Sequence, residues 1–253
     1  MEQELRVLMA IGFCLLLVML RLESEKFGVA EYDEADMAGR RASLRRRLAW
    51  YGIGFALIIG VDLVHPTSGE SLYLRLGDRL QAILFGLAFA AIGTLQAVAF
   101  AWLRYRRLRF PTSSSYPGAL LNSIGTAFID EAAFRGILLA LLLGSGMDAT
   151  FANAIQAILY ALAARLGAPG RDLYMLILIL FVGFLSGWLT IATAGIGAAF
   201  LGHAITRFAV FVCTGHPGRV APRGRDPEDF ERRQRLPSGW RVVGAGDPVY
   251  LER

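Results

Sequence analysis

Five ionisable side chains stand inside two long hydrophobic runs of this 253-residue chain. Asp130, Glu131 and Arg135 fall in the run 118–143, and His203 and Arg207 in the run 195–214. A carboxylate and an imidazole brought together can activate a water, and a guanidinium can steady the oxyanion that such a water creates. A charge at the centre of a membrane helix costs about 2.5–3.5 kcal/mol, so two acids and two arginines left unpaired would cost roughly 10–14 kcal/mol. These groups should therefore pair or line a wet cavity.

Spacing sorts them further. Glu131 and Arg135 stand at i and i+4 with the acid first, the favourable order for a helix ion pair. Asp130 lies about 100° away around the helix and is not reached by Arg135, which makes it the freer carboxylate and a candidate general base. His203 and Arg207 share one face, again at i and i+4. The simplest non-catalytic reading is a neutral buried network that locks helix packing. Asp130, Glu131 and His203 also offer oxygen and nitrogen donors. Catalytic zinc asks for three well-placed protein ligands, whereas the adjacent acids diverge and no second histidine falls mid-run, so no metal or other cofactor is expected. His65 and His216, each beside a proline at a run's end, are not expected to act.

The elements that must position these residues follow from composition. The chain is 55% hydrophobic and only 19% charged, against about 25% charged in soluble domains. Disordered chains are polar, and two cysteines, Cys14 and Cys213, make no disulfide framework, so an all-α polytopic membrane bundle remains. Apolar runs at 5–20, 48–64, 80–103, 118–143, 149–166, 173–194 and 195–214 predict about seven membrane helices. The first carries Glu2 and Glu4 and no small-residue cleavage site, and reads as an uncleaved helix rather than a signal peptide.

The basic residues set the expected orientation. Of the 26, 21 fall on one side: in the loop 21–47 (Arg21 included), in 104–117, after the fifth run, and in the tail. Arg6, Arg75 and Arg79 fall on the other. Cytoplasmic loops are rich in Lys and Arg, so the N-terminus is expected outside and the tail inside, in a cytoplasmic membrane. A solvated basic face accounts for the net charge of +5 without nucleic acid as a partner. The Pro/Ser turn at 110–117 suggests an N-terminal three-helix region with a cytoplasmic loop over 1–117, a four-helix core over 118–214, and a poorly ordered Arg/Pro-rich tail over 215–253. Asn153 and Gln156 are expected to bond a neighbouring helix, Gly183, Gly187, Gly195 and Gly197 to allow close packing, and Trp50, Trp102 and Tyr174 to anchor at the interface.

The run Asp130-Glu131-Ala132-Ala133-Phe134-Arg135-Gly136 resembles the first motif, E-E-x-x-x-R, of the CAAX-protease and bacteriocin-processing membrane proteins. Tyr160 to Ala164 lies where that family carries F-x-x-x-H, and His203 to Arg207 where it carries H-x-x-x-N or H-x-x-x-D. The resemblance covers about 118–214 and implies an intramembrane endopeptidase. Asp130 or Glu131 would activate water, His203 would orient it or move a proton, Arg207 would stabilise the oxyanion, and Arg135 would hold Glu131. The departures are specific. Asp130 replaces the family's first glutamate, Tyr160 its phenylalanine, Ala164 its second-motif histidine, and Arg207 its third-motif asparagine. Arg207 could instead pair with Asp130 and quench it. The resemblance thus allows a divergent protease acting on membrane-associated peptides or proteins, or an inactive relative that binds or stabilises a membrane partner. A proton-coupled transporter is the third class, for which the inverted repeat is missing. The oligomeric state is open.

Overall fold

A computed structural model describes residues 2–24, 26–27, 37–67, 71–111, 113–166 and 173–215. Its helices are α1 (Glu2–Leu22), α2 (Met37–Val64), α3 (Arg79–Tyr105), α4 (Tyr116–Asp130), α5 (Leu139–Gly144), α6 (Ala149–Leu166), α7 (Leu173–Thr193) and α8 (Gly197–Thr214). A π-helical stretch, Glu131–Leu138, joins α4 to α5, so that 116–144 is one unbroken helical rod. Asp78 caps α3 by accepting from the Gln81 N–H, and Pro117 stands in the first turn of α4, where a missing N–H costs nothing. The tail from 216 onward, with His216, lies outside the described residues, as does the side chain of Tyr174.

Six of the seven expected spans are helices long and apolar enough to cross a membrane: Gln3–Leu22, Leu44–Val64, Arg79–Leu103, Ala149–Leu166, Leu176–Thr193 and Gly197–Thr214. The seventh, 118–143, is the charged rod. Every residue from Ile129 to Ile137 is buried, so this stretch is enclosed by protein on all sides. That placement reconciles three charges with a mid-bundle position, because their surroundings are side chains rather than lipid.

Helices α1 and α2 form an antiparallel pair stitched at both ends. Arg6 Nε donates to the Val64 carbonyl at 2.9 Å, and Trp50 Nε1 donates to the Leu20 carbonyl at 2.9 Å. Trp50 is wholly buried and is thus a core residue, not the interfacial anchor its position suggested. Trp102 does stay largely exposed. Ala10, Cys14, Leu17 and Leu20 of α1 share one core with Phe134 and Tyr160, so the N-terminal helices and the 118–214 helices bury a common interior.

Small residues set the other contacts. A Cβ on Gly93 of α3 would fall on the Thr206 side chain, and one on Gly202 of α8 on the Phe89 ring. Gly183 and Gly187 of α7 face Ala157, Asn153 and Gln156 of α6, as expected. Asn153 Nδ2 donates to the Phe184 carbonyl at 3.0 Å and Gln156 Nε2 to the Gly183 carbonyl at 2.9 Å. Gly195 and Gly197 receive the backbone of 75–77, where Asp78 N–H donates to Thr193 and Ile196 N–H to Tyr73 and Arg75. Because α3 and α8 interlock at glycine, Gly202→Val should destabilise the protein by about 1–3 kcal/mol through overpacking. Unfolding of the purified protein in detergent reads this out, and Phe89→Ala in the same chain should return part of the loss. A Gly202→Val protein as stable as the parent would rule out the interlock.

Candidate active site

The rod delivers two adjacent acids to the centre of the bundle. Its π stretch begins at Glu131, and π-helical insertions concentrate at functional sites because they displace side chains from ordinary helical register. Gly136, which closes the motif, admits the loop after α2: a Cβ there would meet Leu74 at 2.7 Å and the Leu72 carbonyl at 3.2 Å. Leu72 is fully buried, so this loop covers the rod one turn beyond the acids.

Around the acids, five elements converge. Glu131 Oε1 lies 2.5 Å from His203 Nδ1 on α8, and Glu131 Oε2 lies 3.4 Å from Arg135 Nε. The i, i+4 pair is therefore present, and the same carboxylate also fixes the histidine ring. Tyr160 on α6 turns its hydroxyl to Asp130 Oδ2 and to His203 Nε2, at 3.3 Å each. Its ring carries the Arg135 guanidinium at 4.0 Å and meets Phe134 edge-on at 5.2 Å. Asp130, Glu131, Arg135, Tyr160 and His203 are all at most 4% exposed.

Two expectations are corrected. Asp130 is not the freer carboxylate, because Arg21 Nε lies 3.1 Å from Asp130 Oδ1 with both side chains buried. Arg21 is therefore not one of the solvated cytoplasmic loop cations. It continues the inward stripe of α1 (Ala10, Cys14, Leu17) by helical spacing, which is the signal that marks it in retrospect. Arg47, also assigned to that solvated loop, is likewise buried. Arg207 lies within electrostatic range of Asp130, Tyr160 and Tyr51, yet Arg21 is the cation that pairs with Asp130. The Arg207 Nε is buried with no hydrogen-bond partner among the described residues. Ala164, at the position of the absent histidine, is buried one turn beyond Tyr160. His65 sits at the end of α2, bonded to Thr67 and remote from these groups.

A second polar cluster adjoins the site. Tyr51 O–H donates to Asn122 Oδ1 at 2.8 Å, and Thr126 Oγ1 donates to the same oxygen at 3.3 Å. Asn122, Thr126 and Asp130 recur every four residues, so α4 carries a polar stripe leading to the acids.

The donor set does not fit a divalent cation. Each carboxylate faces a guanidinium, the one imidazole is committed to Glu131 and Tyr160, and Arg207 adds further positive charge. Among the described residues no three His, Cys, Asp or Glu side chains converge as metal ligands do.

Fold and site together define an integral membrane protein built as a helical bundle around a buried carboxylate–imidazole–guanidinium centre. Residues 111–209 match the family model described as Type II CAAX prenyl endopeptidase Rce1-like. That segment is similar to the CAAX-protease group that the Asp130–Gly136 motif also resembles, and it contains every residue of the centre except Arg21. No curated protein and no solved structure matches the chain.

Proposed function

We propose that this protein is an intramembrane endopeptidase in which Glu131 and His203 act together as the water-activating base. The observation that carries this reading is the 2.5 Å contact between Glu131 Oε1 and His203 Nδ1. A carboxylate on Nδ1 orients the ring and steadies the imidazolium that forms when Nε2 takes a proton. Water adds to the peptide carbonyl as His203 Nε2 takes its proton. The C–N bond then breaks, and the same proton passes to the leaving amine. Arg207, whose Nε makes no hydrogen bond among the described residues, would meet the oxyanion, and Arg135 would hold the Glu131 carboxylate in place. Buried nitrogens of Arg135 and Arg207 and the Glu131 Oε2 atom make no hydrogen bond among the described residues and give a water several places to bond. The substrate class is a membrane-associated peptide or protein. The sorting of basic residues supports an outer N-terminus and a cytoplasmic tail.

Ala164 and the Arg21–Asp130 pair favour a second reading, a non-catalytic relative that binds a membrane peptide. One experiment separates the two. Membrane-protein termini are compared in cells carrying the wild type, Glu131→Gln, Asp130→Ala or His203→Ala. The hydrolase reading expects peptide ends that vanish with Glu131→Gln and with His203→Ala. If no end depends on either residue, the binding reading stands.

A further inference from the structure

We infer that Arg21, on a helix outside the family-matched segment, is a positioning residue that holds Asp130 as a carboxylate and thereby sets the direction of the Tyr160 hydroxyl. A terminal arginine on a membrane helix ordinarily extends to the lipid headgroups. Arg21 instead turns inward, with its side chain 4% exposed and its Nε 3.1 Å from an Asp130 side chain that is 1% exposed. Two features enforce this. Helical spacing puts Arg21 on the same face as Ala10, Cys14 and Leu17, and the neighbouring Leu20 carbonyl is pinned by the Trp50 indole.

The consequence passes along a chain of contacts. An isolated carboxylate in a dry interior takes up a proton rather than remain charged. As a carboxylate paired with Arg21 at 3.1 Å, Asp130 is a pure acceptor. The Tyr160 O–H then donates to Asp130 Oδ2, which leaves the phenol lone pairs facing His203 Nε2. Once Nε2 has taken the water's proton, its N–H donates a hydrogen bond to the phenol oxygen until that proton passes to the leaving amine, while Glu131 accepts from Nδ1. Arg21 thus supports the base from two residues away. The groups that act on Asp130 are Arg21 from α1, Tyr51 from α2, Tyr160 from α6, and His203 and Arg207 from α8, with Glu131 beside it in the rod. Among the described residues, Arg135 is engaged with Glu131 and Arg21 is in ion-pair contact with Asp130.

The role in cleavage rests on the hydrolase reading above; the ionic lock does not, and the test keeps them apart. Infrared difference spectra of the purified full-length protein at neutral pH read protonated buried carboxyl groups directly. The R21Q protein is expected to gain the carbonyl band of a protonated acid that wild type lacks, and R21Q/D130N is expected to lose it again. R21K, which keeps the cation, should match the wild type. No new band in R21Q, or a band that persists in R21Q/D130N, overturns the assignment. Should R21Q fail to accumulate, restored accumulation in R21Q/D130N supports the lock, and continued failure of the double variant overturns it. In cleavage, R21Q should lower kcat by roughly 10²-fold with KM unchanged, as expected for a misoriented base rather than lost binding. R21Q/D130N should recover part of kcat. If wild type cleaves nothing, the hydrolase reading fails while the infrared result still decides the lock.

Discussion

Glu131→Gln and His203→Ala should each lower cleavage by about 10²–10⁴-fold, the loss that follows removal of a general acid–base partner. The combined variant should be no slower than the worse of the two. Groups that act as one unit are strongly non-additive, because the second has nothing left to support once the first is gone. Here the unit is a 2.5 Å contact between the motif's second acid and a histidine on α8. The measurement is a time course of one wild-type-dependent peptide end, followed with each variant at matched protein levels. Additive losses in the double variant would mean that the acid and the imidazole serve separate steps. Full activity in Glu131→Gln would return the role of base to Asp130. That outcome would conflict with the structure, where Asp130 faces Arg21 on one oxygen and Tyr160 on the other.

Arg135→Ala should be the most destabilising single change in the site, by about 3–5 kcal/mol, since it leaves Glu131 as a buried charge without its cation. Both side chains are 0% exposed, so solvent does not soften the effect. The guanidinium also lies 4.0 Å above the Tyr160 ring, and that packing goes with it. Adding Glu131→Gln to Arg135→Ala should recover much of the loss, because a neutral amide leaves no uncompensated charge. Unfolding of the three purified proteins in detergent gives the comparison. If the double variant is no more stable than Arg135→Ala, the cost lies in the cavity and the lost stacking instead.

Much of this centre was readable along the chain. The i, i+4 spacing of Glu131 and Arg135 is local, and a helix brings such positions together whatever surrounds it. Asn153, Gln156 and the α6–α7 glycines were legible for a related reason: polar and very small residues in an apolar helix imply a close neighbour. Arg21 and Trp50 depart from the sequence expectation because both stand at span ends, where composition cannot tell a headgroup-facing side chain from one turned inward. Partners 109 residues apart, such as Arg21 and Asp130, leave no periodic trace at all.

The sequence by itself determined the helical membrane class, the motif's charges and their local pairing, since each follows from hydropathy over a span or from spacing within one helix. Tertiary structure decided which acid meets the histidine, which meets the first helix's arginine, and that a buried tyrosine joins the two. Those choices depend on how α1, α6 and α8 rotate around the central rod, and helix rotation is set by packing between helices rather than by any one of them.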